Sequence, residues 1–126
     1  MKPPDLLWLQ RVAEAVVTRT IRALPPELRR HAEELPVTFE AVPNAETVAD
    51  GIDVDVLGLF VGASFDEAET ALADVPSQVI LYLENLWDFA EADEDLFRGE
   101  VRTTYLHELG HYLGLDEDGV EERGLL

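Results

Sequence analysis

Apolar residues fall at three- and four-residue steps over the first part of the chain. Leu9, Val12, Ala13, Val16, Val17, Thr20, Ile21 and Leu24 form one stripe, the spacing of a helix with a single buried face. Asp5 stands where a helix N-cap belongs, and Pro25-Pro26 stops the helix and starts a shorter helical turn from Leu28 to Leu35. After Pro36 the period drops to two. Val37, Phe39 and Ala41 alternate with Thr38 and Glu40, as in a half-exposed strand. Residues 43 to 55, with Pro43, Asn44 and Asp50-Gly51, read as loop. Val56 to Val61 predicts a second strand, with Gly58 and Gly62 as its punctuation. An acidic, alanine-rich loop or short helix follows from Ser64 to Asp74. Val79-Ile80-Leu81-Tyr82-Leu83 is apolar throughout, which suits a central strand covered on both faces. A helix from about Asp93 to Leu115 completes the order. The expected architecture is α+β, with a small mixed sheet packed on an N-terminal helix and a C-terminal one.

With 126 residues the chain suits one domain, spanning 1–126, large enough to fold on its own core. Cysteine is absent, which removes disulfides, thiolate metal ligands and cysteine nucleophiles together. That composition fits a reducing compartment. The N-terminus has neither the basic nor the apolar stretch of a secretory signal, and no run reaches the roughly 18 apolar residues of a membrane span. A cytoplasmic location is expected. Charge adds a second exclusion. Asp and Glu number 27 against 9 Lys and Arg, a net charge of −18. Such a surface repels phosphate backbones and anionic lipid, and favours cations and basic peptides as partners.

The chemistry concentrates in Tyr105-Leu-His107-Glu108-Leu-Gly-His111-Tyr-Leu-Gly114-Leu-Asp116-Glu117-Asp118. Two histidines four apart share one helix face, with β-carbons about 6 Å apart, so both imidazoles can close on one zinc ion. Glu108 is rotated about 100° from His107. It misses the ion but can reach a water held there, accept its proton as general base and pass it to a leaving amine. Val101, Leu106, Leu109 and Leu113 form the opposite, buried stripe. Glu100, Thr103 and Thr104 lie upstream on the histidine side. Gly114 can take positive φ and end the helix, which turns Asp116, Glu117 and Asp118 back towards the ion. A zinc site needs a third protein ligand, and one of these three acids is the candidate. The remaining histidine, His31, follows Arg29-Arg30 and reads as a surface residue.

These residues resemble the metzincin signature, His-Glu-x-x-His-x-x-Gly-x-x-His or Asp, and more closely that of small bacterial zincin-like metallopeptidases, which ends in Asp-Glu. The match runs through His107, Glu108, His111 and Gly114, and sets Glu117 at the third-ligand position with Asp118 after it. Glutamate there is one methylene longer than the family's aspartate. The resemblance also implies an edge strand, here 56–61, able to hold an extended peptide by strand addition, and a central strand from Gln78 to Leu83. It implies a zinc-dependent peptidase acting on a peptide or protein. Metzincins carry a methionine turn, whereas Met1 is the single methionine here. Only about ten residues follow Glu117, so the lower half of a metzincin cleft has no counterpart and loose peptide binding is expected. The alternative is a metal-binding or interaction module that keeps the site without useful turnover.

Overall fold

The computed structural model describes residues 4–63 and 76–114. Helix α1 runs Leu6–Arg22, and Asp5 caps it by accepting a hydrogen bond from the Leu7 backbone N–H at 3.1 Å. Its buried residues are Leu9, Val12, Ala13, Val16, Val17 and Thr20, the stripe read from the sequence. Thr20 tolerates burial because its hydroxyl donates to the Val16 carbonyl at 2.7 Å. Arg19 and Arg22 occupy the last turn, where the helix dipole favours cations. Helix α2, Pro26–Glu34, has proline in its first turn and buries Leu28 and Ala32.

Strand β1 is Val37–Glu40, β2 is Gly58–Val61 and β3 is Gln78–Tyr82. They form a mixed sheet in the order β1-β3-β2, with β1 parallel and β2 antiparallel to β3. The continuously apolar strand is the central one, as its composition requires. Alternation in β1 is softer than expected, since all four of its residues are half-buried. Thr38 is held by its hydroxyl donating to Gln78 Oε1 at 2.6 Å, while Val37 and Phe39 pack on the core.

Two helices depart from the sequence expectation. Helix α3, Ala45–Ala49, lies in the stretch read as loop. It has five residues and none is buried, so it leaves no periodic signal, and the Asn44 cap on the Thr47 N–H at 2.8 Å is its only mark. Helix α4, Leu83–Phe89, begins where the apolar strand was expected to end. Leu83 belongs to it and not to β3. The buried spacing of Leu83, Leu86 and Ala90 is helical, but the run that precedes it masks the change of period. Glu91 and Ala92 then take positive φ, 55° and 59°, to make the turn.

Helix α5, Glu94–Tyr112, carries the motif. Asp93 caps it by accepting from the Leu96 N–H at 2.9 Å, and Glu94 and Asp95 fill the acidic first turn. This helix lies between the sheet and α1, touching β2 and β3 on one side and α1 and α4 on the others. Phe97, Val101, Tyr105, Leu106 and Leu109 are fully buried. Truncating one of them, such as Leu109→Ala, would cost about 3 kcal/mol. Trp87 joins the helices, with its ring edge-on to Trp8 at 5.8 Å and to Phe97 at 5.6 Å. The core therefore immobilises one side of α5 and leaves the other to face a groove.

Candidate metal centre

His107 and His111 project from adjacent turns of α5, and their Nε2 atoms lie 3.1 Å apart with the rings nearly perpendicular, at 81°. Two nitrogens each about 2.05 Å from a tetrahedral ion would be about 3.3 Å apart. The pair thus stands within a few tenths of an ångström of the spacing that one zinc ion requires. The Glu108 carboxylate joins the two nitrogens in a cluster whose donor atoms all lie within 4.8 Å of one another. Asp116, Glu117 and Asp118, from which a third ligand was expected, lie outside the described residues. Gly114, expected to end the helix, does so. Its φ is +75°, and its N–H donates to the His111 carbonyl at 3.0 Å as the helix ends.

Glu108 is buried at 9% exposure. Burial raises its pKa from 4.5 to about 7, and the Phe60 backbone N–H, which faces the carboxylate, pulls in the opposite direction. That N–H is available for a reason set by register. The Tyr82 N–H donates to the Leu57 carbonyl, so with Leu59 opposite Ile80 and Val61 opposite Gln78, the alternate residues Gly58 and Phe60 turn their backbone groups outward. Among the described residues β2 is an edge strand, and its outer edge runs past the metal cluster.

The approach of β2 to α5 depends on Gly58. A Cβ there would stand 2.7 Å from Thr104 Cγ2, 3.1 Å from the Ile80 carbonyl oxygen and 3.2 Å from Leu81 Cδ2. Below Gly58 the chain is anchored by Asn85, whose side-chain amide donates to the carbonyls of Val54 at 2.8 Å and Val56 at 2.9 Å. Above it, Phe60 packs against Tyr112, with ring centroids 5.8 Å apart. Between strand and helix lies a groove of about 290 Å³, lined by Val56, Leu57, Gly58, Glu100, Thr103, Thr104, His107 and Glu108. Glu100, Thr103 and Thr104 were placed on the histidine side by their spacing, and the structure sets all three in the groove wall. Sequence reasoning missed Asn85 and the role of Gly58. A glycine inside an otherwise β-forming run was the available signal for a close backbone approach, whereas an asparagine after a strand carries none. His31, expected at the surface, is half-buried on α2.

A helix presenting two convergent histidines and an intervening buried glutamate, alongside the edge strand of a small sheet, defines the zincin class of metallopeptidase folds. The family model for zincin-like metallopeptidases matches residues 32–125, well over half of the chain, and the chain belongs to that family. No curated protein matches it. Among the described residues, no helix is long and apolar enough to cross a membrane.

Proposed function

We propose that this chain is a zinc-dependent peptidase that cleaves a peptide or protein bound in extended form along β2. The observation that carries this is the 3.1 Å convergence of His107 and His111 Nε2 beside a buried Glu108, at a groove that His107 and Glu108 line together with β2. His107 and His111 would hold the ion, with Glu117 as the third ligand by the family pattern. Zinc, when bound, supplies Lewis-acid polarisation of the scissile carbonyl and acidifies the attacking water. Glu108 takes up the proton of that water and returns it to the departing amine. Burial pushes its pKa up to about 7 in the metal-free protein. Gly58, through its N–H and C=O, and Phe60, through its C=O, offer backbone groups to the substrate's main chain. The enzyme would act in a reducing cytoplasm, in keeping with its cysteine-free composition.

The test is metal content together with peptide cleavage, measured on the wild type, His111→Ala and Glu108→Ala. Near-stoichiometric zinc that His111→Ala loses and Glu108→Ala keeps, with cleavage lost in both variants, is the expected result. Zinc bound by a wild type that cleaves nothing in a broad peptide library would make the chain a metal-binding module. A wild type that binds no metal would sink the proposal.

A further inference from the structure

The groove beside the metal cluster has a chemical polarity of its own. Its carboxyl groups are those of Glu100 and Glu108, and among the described residues no lysine or arginine lines it. Helix α5 does carry arginines, but on another side. Arg98 and Arg102 line a separate cavity with Arg19 between α1 and α5, and Arg98 pairs with Glu94 at 2.9 Å. Glu100 takes no part in that pairing. Seven residues before His107, it stands about 10 Å along the helix from the metal-binding turn. Val56 and Leu57 supply apolar lining to the same groove, and the exposed Thr103 is the polar neighbour of Glu100 on the helix.

We infer that Glu100 is a specificity residue that selects a lysine or arginine side chain in the substrate, an assignment that rests on the peptidase reading above. The apolar lining suits the methylene stem of such a side chain, and the carboxylate suits its charged head. An extended chain advances about 3.3 Å per residue. A peptide running along β2 therefore brings to Glu100 a side chain two or three residues from the bond held over the histidines. The remaining acidic surface adds attraction for the same class of substrate without choosing a position.

Two readouts test the inference. The first is cleavage of a peptide library that varies one position at a time between Lys, Arg, Gln and Glu. The second is anisotropy of labelled Lys- and Gln-containing peptides binding to the metal-free protein, which needs no turnover. Wild type should favour Lys or Arg over Gln at one position by about tenfold in both readouts, through KM in the first. Glu100→Gln should bring that ratio to within about twofold, Glu100→Arg should turn it towards Glu, and added salt should weaken it in the wild type. Glutamine keeps the helix propensity of glutamate, so the variant retains the fold. A ratio unchanged in Glu100→Gln, or no basic preference in either readout, overturns the assignment. Selective binding that Glu100→Gln removes, without cleavage by any form, keeps the basic-selective groove and fails the peptidase reading alone. Zinc-dependent cleavage indifferent to charge at every position does the reverse.

Discussion

Glu108→Gln should stabilise the metal-free protein above neutral pH and leave it unchanged in acid. Burial raises the Glu108 pKa from 4.5 to about 7 in the folded state. Between those values the folded protein holds a proton that the unfolded chain has released. This group's contribution is therefore fully present below pH 4.5 and lost as pH rises to 7 and beyond. A displacement of that size corresponds to about 3 kcal/mol at pH 8. Glutamine is neutral at every pH, has the same shape and can still accept from the Phe60 N–H, so it escapes the loss. The assay is urea unfolding with chelator present, at half-unit steps from pH 4.5 to 8.5. With a slope of about 1.5 kcal/mol/M, the two proteins should share a midpoint at the acid end and differ by about 2 M at the alkaline end. The comparison is of wild type with variant because a charge of −18 destabilises both as carboxylates ionise. Parallel curves across the range would refute the argument, and so would a variant that is the less stable form at pH 8.

Three further outcomes follow from the groove. Gly58→Ala places a Cβ 2.7 Å from Thr104 Cγ2 and should cost about 2 kcal/mol. Thr104→Ser removes that methyl group, so the double variant should recover about 1 kcal/mol relative to the sum of the two single changes, and denaturation of all four proteins reads the coupling directly. Asn85→Ala deletes two hydrogen bonds to the segment leading into β2. It should cost about 1–2 kcal/mol and raise KM more than it lowers kcat, by steady-state kinetics. Gly114→Ala forces a side chain onto a backbone with φ of +75°. A loss of about 1 kcal/mol in thermal unfolding, with weaker zinc binding by competition with a chromogenic chelator, is expected.

The parts of this molecule that were legible in sequence share one property, a signal carried by several residues at a fixed spacing. The six buried positions of α1, the central strand and the two histidines on α5 are all of this kind. So is the end of α5, where Gly114 adopts the conformation that glycine tolerates best. What escaped was short or depended on a partner distant in sequence. Helix α3 is too brief to repeat a period. Helix α4 inherits an apolar run from β3, and a continuous run hides the step from a two-residue to a three-residue spacing. Asn85 acts through the carbonyls of Val54 and Val56, some thirty residues earlier, and no local pattern announces a long-range hydrogen bond. Glu100, Thr103 and Thr104 were visible as a stripe, but their significance comes from a strand that Gly58 allows to lie against them.

The open edge of β2 has a cost for the molecule as a whole. The Gly58 N–H and C=O and the Phe60 C=O, which no described strand pairs, can accept an extended chain, including the same strand of another copy. Proteins usually guard such edges by covering them or by placing lysine or proline in the strand. The sequence Gly-Leu-Phe-Val of β2 has neither. Among the described residues no strand covers it, and the guard is long-range repulsion between copies that each carry −18, which is screened over a Debye length of about 10 Å at 0.1 M salt. Solubility and the open edge are thus coupled through ionic strength, and concentrated salt or acid removes the guard while leaving the edge in place.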